Sequence, residues 1–349
     1  MVSFTKIPSL KERLPITASP SSLMISTTIK KYYQNDLVYL VLENREVIVT
    51  ISPTIGGKIL ELKRKRSGTQ FLLQPENNYS INQLPYYGAD YNQYQPAGLD
   101  DCFPTMAASP YSSTGSDGQQ SDIHFPDHGE LWSIPWEYHV SNESVYLSVK
   151  GVRLDYEFSK TIRLEQSTVH VNYRLINCST SPFSYIWVAH PFLEVQPGSK
   201  ILFGQSVNQV LLDSTTDPTL GQPGTQIAWP WSVRNNSANS SLRVPPRDSP
   251  PNYIVKFFTE ALGVGTCSYV RADTGEQIIF DFNPEKIPYI GIFLQHAGGS
   301  SSRGQVRSKL ALQPSIGRPG SLQQACARKE CREIDAFGLE EWVLRISVE

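Results

Sequence analysis

From about residue 37 the chain breaks into short runs of Val, Ile and Leu separated by turn residues: LVYLVL, EVIVTISP, KILELK and QFLLQP. Their length and composition predict β-strands. Gly56-Gly57 lies between two of them and predicts a tight turn or bulge. Between 136 and 176, WEYHVSN, VYLSVKGV, LDYEFSKTIRLE and STVHVNYRLIN alternate apolar and polar positions. That alternation predicts an antiparallel meander with one wet face. SYIWVAHPFLEV and KILFG continue the pattern; YIVKFFTE, CSYVRAD, QIIFDFN and IPYIGIFLQ resume it, and WVLRISV closes it. Only KERL near the start and SLQQACARKE read as helical. Two stretches lack periodicity: 76–127, rich in Tyr, Asn, Gln, Ser, Pro and Gly, and 213–251, rich in Pro, Ser and Asn. The first has the length of a functional loop. Its tyrosines (79, 86, 87, 91 and 94) either pack on one another or roof a cleft. Many short strands, few helices and no βαβ rhythm predict an all-β fold, a large antiparallel β-sandwich. The expected division is a leader over 1–30 and one domain over 31–349.

Composition narrows the function classes. With 40% hydrophobic and 18% charged residues, a packed core is expected. The 31 basic and 33 acidic residues nearly cancel, so nothing draws the chain to a phosphate backbone, and no nucleic-acid partner is expected. The one dense basic run, Lys63 to Arg66, follows KILEL and reads as a solvated strand end. No apolar run approaches the roughly 20 residues that span a bilayer, and the N-terminus lacks a secretory pattern. A cytoplasmic protein without a membrane partner is therefore expected. Five cysteines, odd in number and without a CxxC pair, read as free thiols. No Walker motif, GxGxxG or GxSxG is present. No metal and no organic cofactor is called for.

Two histidines stand out by position. His128 lies in HFPDHGELW at the end of the long irregular stretch, and His190 lies in WVAHPFLEV, where Pro191 restrains it toward an extended backbone. Aromatic rings offer flat apolar faces to a ligand or to the core, and Trp132, Trp136, Trp187 and Phe293 lie within or beside these motifs. Trp187 precedes His190 by three residues, an odd offset that puts the two on opposite faces of a regular strand. Asp100 and Asp101 in LDDCFP either contact a ligand or cap a turn before Pro104. Asp127 and Glu130 are further carboxylates close to His128, and Glu130 is also a candidate to pair with a basic neighbour. Lys58 follows the Gly-Gly turn and is a candidate for a hydroxyl or acidic group.

ISPTIGGKILELKRKRSGTQFLLQP, GLDDCFPT, FPDHGELWSIPW, YIWVAHPFLEVQPG and LALQPSIGRPGSLQQA occur in the order seen in the aldose 1-epimerase (galactose mutarotase) superfamily, which the chain resembles over roughly 37–348. The resemblance implies a β-supersandwich with a sugar cleft on a concave sheet face. It also implies that His128 and His190 flank the sugar's ring oxygen and anomeric carbon. In that family a late-strand glutamate takes the anomeric proton, a histidine protonates the ring oxygen, and the opened ring recloses on its other face. Here Gln313, in Leu312-Gln313-Pro314, stands where the glutamate is expected, and an amide does not accept that proton. Asp101 is the expected replacement base or hydroxyl contact, and Lys58, Asp100, Trp132, Trp187 and Phe293 are expected to bind substrate. Three readings stay open. One is an anomer-interconverting isomerase. Another is the same fold repurposed as a different isomerase, cyclase or lyase, and the third is a non-catalytic carbohydrate-binding protein.

Overall fold

A computed structural model of the chain describes residues 27–349, except 78, 95–96, 115–119, 197, 230–252, 297–299, 302–303 and 306–307. The helical expectation for KERL and most of the leader lie outside the described residues. Within them, two antiparallel sheets form a sandwich. The larger has 11 strands in the order Thr28–Gln34, Leu37–Glu43, Val47–Ser52, Lys58–Arg64, Leu99–Cys102, Val188–Glu194, Lys309–Ser315, Tyr289–His296, Tyr253–Thr259, Gln209–Thr215, Gln226–Ala228. The smaller has 8: Lys200–Phe203, Thr266–Val270, Gln277–Phe282, Leu339–Val348, Thr168–Asn177, Tyr156–Glu165, Ser144–Lys150, Glu137–Val140.

Side-chain alternation along each strand divides the larger sheet into two faces. Ile59, Leu99, Trp187, Ala189, Ile292, Leu310 and Leu312 meet Leu147, Phe158, Tyr173 and Leu344 of the smaller sheet in the main core. The opposite face carries Lys58, Asp100, His190, Phe192, Lys256, Phe293, Lys309 and Gln313, and loops cover part of it.

The strand Leu99–Cys102 (LDDC) is fully buried although half of it is carboxylate. Each aspartate takes a buried lysine. Asp101 Oδ2 lies 2.6 Å from Lys160 Nζ of the smaller sheet, and Trp187 Nε1 donates to Oδ1 at 3.0 Å. Asp100 turns to the other face and meets Lys58 Nζ at 3.1 Å. The expected turn before Pro104 is therefore a central strand, and charge pairing, not apolar composition, puts it there.

Turn chemistry matches the sequence at the Gly-Gly pair. Gly56 and Gly57 have φ of 61° and 63°, and a Cβ at Gly56 would sit 2.4 Å from the Trp132 carbonyl oxygen. Three expectations differ from the structure. QFLLQP forms only isolated bridges at Gln70 and Leu72. The 76–127 stretch contains two 3-10 turns (Ile81–Gln83 and Tyr91–Gln93), the central strand above, and a hairpin of Ser109–Thr114 with Gln120–Phe125. The hairpin strands, SPYSST and QSDIHF, lack the large apolar alternation that marks a strand. Finally, Cys326 and Cys331 form a disulfide, because the chain reverses after the helix Leu322–Ala327, with Lys329 at φ 60°, and brings their Cα atoms to 5.1 Å. Cys102, Cys178 and Cys267 are free.

Removing one partner of a buried ion pair strands the other charge, at a cost of about 3–5 kcal/mol. Lys160→Met is expected to lose about that much stability in urea denaturation, and the double change Asp101→Asn/Lys160→Met to lose clearly less. Equal losses would show that the Lys160 charge is not what holds Asp101.

Candidate active site

The pairing registers set one polar row across the outer face of the larger sheet. His190 is opposite Asp100, and Gly291 is opposite both Gln313 and Phe258. The flanking pairs Val188↔Ser315 and Phe192↔Ala311 put His190 across from Gln313. Lys58 continues the row beyond Asp100, bound to it by the ion pair above.

A buried relay runs along this row. Burial works against the Lys58 ammonium, but Asp100 and Tyr79 outweigh it and hold its proton more firmly than usual. Tyr91, from the loop over the sheet, donates its hydroxyl to Asp100 Oδ2 at 2.8 Å, and its phenol oxygen lies 3.3 Å from His190 Nδ1. Burial, together with the Asp100 charge, pushes the phenol well above its ordinary value, so Tyr91 keeps its hydrogen. One hydrogen serves one acceptor. Given to Asp100, it leaves the phenol oxygen to accept from His190 Nδ1–H. That bond fixes the tautomer and leaves a lone pair on Nε2. Burial, then the charges of His128, Lys256 and Lys58, hold His190 well below the usual imidazole value. His190 is a neutral acceptor at neutral pH.

His128 is held differently. Its backbone is left-handed (φ 62°), with its N–H on the Met106 carbonyl at 2.8 Å. Gly129 follows at φ 71°, where a Cβ would sit 2.2 Å from the Phe103 carbonyl oxygen. This tight Asp-His-Gly turn throws the imidazole onto Tyr91, stacked at 3.7 Å between centroids and 7° between planes. His128 Nδ1 lies 2.8 Å from Asp127 Oδ2. Burial pushes the Asp127 carboxyl up, but the His128 bond and charge and the Lys256 charge prevail and hold it below the usual range. The two imidazole centroids are 5.1 Å apart at 71°.

Both rings open onto a cavity of about 510 Å³, whose lining also includes Tyr91, Asp127, Phe192, Asp213, Lys256, Phe293 and Lys309. Of the residues expected from sequence, His128, His190 and Phe293 line it. Asp100 and Lys58 lie behind Tyr91 as the buried end of the relay. Trp132 supports Tyr91 edge-on at 4.9 Å and donates to the Asp127 carbonyl at 3.3 Å.

Two expected site residues are elsewhere. Asp101 and Trp187 point into the main core, where Trp187 packs on Tyr173 at 4.7 Å and Trp342 at 5.3 Å. The strand period that puts Asp100 on the open face necessarily puts Asp101 on the other, and the odd offset from His190 does the same to Trp187. Gln313 faces the site side but is sealed beneath the cavity floor, fully buried, and neither amide atom has a partner among the described residues. Among the described residues, Glu130 pairs with no basic side chain. It accepts from Tyr156 Oη at 2.8 Å and from the Val152 and Arg153 N–H groups at 3.0 Å, a structural clamp below the loop.

Sequence reading did not single out Tyr91, Asp213, Lys256 or Lys309. A signal for the lysines is present. Lys256 in YIVKFFT and Lys309 in KLALQPS occupy one-face positions in strands otherwise nearly all apolar. Tyr91 carries no such mark, being one tyrosine among several in an aperiodic stretch. Among the described residues, no group of three His, Cys, Asp or Glu side chains is placed to hold a metal ion, and no helix is long and apolar enough to cross a membrane.

No protein-family model and no curated protein matches the chain. Solved structures do. A galactose mutarotase-like protein from Clostridium acetobutylicum superimposes with a TM-score of 0.68 at 13% identity, covering 93% of this chain and 99% of that one. A galactose mutarotase related enzyme from Lactobacillus acidophilus gives 0.59 at 11%, covering 92% and 97%. A galactose mutarotase-like protein from Lactobacillus casei gives 0.58 at 11%, covering 89% and 100%. The sandwich described above is thus the galactose mutarotase-like fold, shared along nearly the whole described chain.

Proposed function

We propose that the protein binds a sugar in this cavity and interconverts its anomers by acid–base ring opening. The observation that carries this reading is the imidazole pair 5.1 Å apart over one open cavity, with one ring neutral and one beside a carboxylate. Burial and positive neighbours keep His190 free to accept a proton, and the Asp127 carboxylate beside His128 supports that ring when it carries one.

His190 Nε2 takes the proton of the anomeric hydroxyl. The bond from the anomeric carbon to the ring oxygen breaks, and His128 Nε2–H delivers a proton to that oxygen. The free aldehyde rotates and recloses by the same steps in reverse. Asp127 neutralises the imidazolium form of His128, and Tyr91 holds both rings, one by stacking and one by its hydroxyl. Phe192 and Phe293 offer aromatic surface to the sugar's C–H face.

A second reading keeps the cleft and changes the reaction: a sugar-binding protein without turnover, or a cyclase, lyase or other isomerase. Gln313 favours it, because the position expected to hold a carboxylate base holds an amide with no partner among the described residues.

Optical rotation of a fresh α-hexose separates the two. The first reading expects enzyme-dependent mutarotation that falls about 10²–10⁴-fold in His128→Ala. The second expects calorimetric binding without mutarotation, and a gain of mutarotation in Gln313→Glu. Tyr91→Phe keeps the stacking ring but strips His190 of its acceptor, so a loss of about tenfold to a hundredfold is expected, with little change in KM.

The pH profile carries a sign. The base must be neutral, and His190 is depressed, so lowering the pH through about 6.5 is expected to leave kcat/KM high, the acid limb appearing only well below that. An acid limb centred at the ordinary imidazole value would contradict the assignment of His190 as the base.

A further inference from the structure

Three lysines near the site each face a carboxylate: Lys58 meets Asp100 at 3.1 Å, Lys160 meets Asp101 at 2.6 Å and Lys256 meets Asp213 at 3.6 Å. Lys309 differs. It lines the same cavity, yet among the described residues no carboxylate or other acceptor lies within bonding distance of its Nζ, which rests 6.0 Å from the Phe192 ring centroid. Its cross-strand neighbour Glu194 is engaged by Arg271 at 3.2 Å, and its other neighbour, Gln295, is neutral and also lines the cavity. Burial lowers the affinity of Lys309 for its proton, opposed by the more distant Glu76. A half-buried ammonium without a counter-charge is costly unless a ligand supplies one.

Its position says where on the ligand that charge belongs. Residues on one face of a strand recur every two positions, about 6.8 Å apart. His190 and Gln313 form the first row, Phe192, Ala311 and Phe293 the second, and Lys309 with Gln295 the third. The Lys309 side chain reaches back over Phe192, whose ring is 4.5 Å from that of His190. The ammonium is thus displaced along the strands from the proton-transfer pair, at a distance a substituent on the far end of a pyranose can reach when its anomeric carbon is at the histidines.

Resting on the sugar-binding reading above, we propose that the substrate is an anionic sugar, bearing a carboxylate or phosphate on the exocyclic carbon remote from the anomeric centre, with Lys309 as the residue that receives the anion and Gln295 beside it. Lys309 selects the substrate and takes no part in proton transfer.

The test is calorimetry on the full chain at low salt with glucose, glucuronate and glucose 6-phosphate, alongside polarimetry with the same sugars. At least one anionic sugar is expected to bind about tenfold or more tightly than glucose, and the one that does identifies carboxylate or phosphate as the source. In Lys309→Met that ratio should fall toward one, and in Lys309→Arg it should survive. Glucose binding as tightly as both anions, a ratio unmoved in Lys309→Met, or no binding of any of the three overturns the proposal. The wild-type ratio alone decides if Lys309→Met fails to fold. Anion-selective binding with no mutarotation of any sugar overturns the anomerase reading while supporting this one.

Discussion

Two adjacent carboxylates in one central strand organise this protein. A β-strand sends neighbouring side chains to opposite faces, so Asp100 and Asp101 need separate cations on opposite sides of the sheet. Lys160 reaches across the sandwich to Asp101, and Lys58 runs along the outer face to Asp100. Neither aspartate has any exposure, so neither charge has water to fall back on. A slip of one residue would carry both carboxylates to the wrong lysines, which makes the register of Leu99–Cys102 hard to change. His190 pairs directly with Asp100 across the strands, so its place in the site is fixed by the same constraint.

From that anchor the two imidazoles acquire different surroundings. His190 lies at the end of a buried chain of partners and has positive neighbours, which keep it neutral. His128 sits on a left-handed turn at the cavity wall with a carboxylate at Nδ1. Tyr91 touches both, by its ring face on one side and its hydroxyl on the other. A loop residue thereby couples a ring delivered by a sheet to a ring delivered by a turn. The left-handed backbone at His128 is the kind of strain that a packed surrounding can hold, and Gly129, closed against Phe103, supplies that surrounding.

The sandwich could be read from the sequence because its strands announce themselves by alternation, and both histidines by their setting next to Gly or Pro. What could not be read follows one physical rule. Leu99–Cys102 looks like a polar turn because the burial of Asp100 and Asp101 rests on lysines 42 and 59 positions away, at Lys58 and Lys160. Asp101 and Trp187 were natural candidates by motif, yet strand parity alone sends both to the core, and for Trp187 the odd offset from His190 already implied it. Tyr91 and the polar hairpin over 109–125 carry no periodic signature, since their order comes from contacts made by other segments. The unpaired Lys309 lies between these cases. Its one-face position in KLALQPS is visible, but that no described residue pairs with it becomes apparent only once the sheet is assembled.

Gln313 is the remaining piece, and it belongs to the same electrostatic design. Two amide atoms without a partner among the described residues, in a fully buried site, cost on the order of 1–3 kcal/mol each, a cost usually found where function requires it. A carboxylate at this position would stand across from His190 and draw a proton onto its imidazole, converting the neutral acceptor to a cation. An amide leaves His190 to burial and to the charges of His128, Lys256 and Lys58, which hold it neutral. On the proposed anomerase reading, the amide at 313 and the neutral imidazole at 190 are one arrangement: an imidazole stands in for a carboxylate as base, and the Lys58–Asp100–Tyr91 relay leaves Nε2 as its free acceptor.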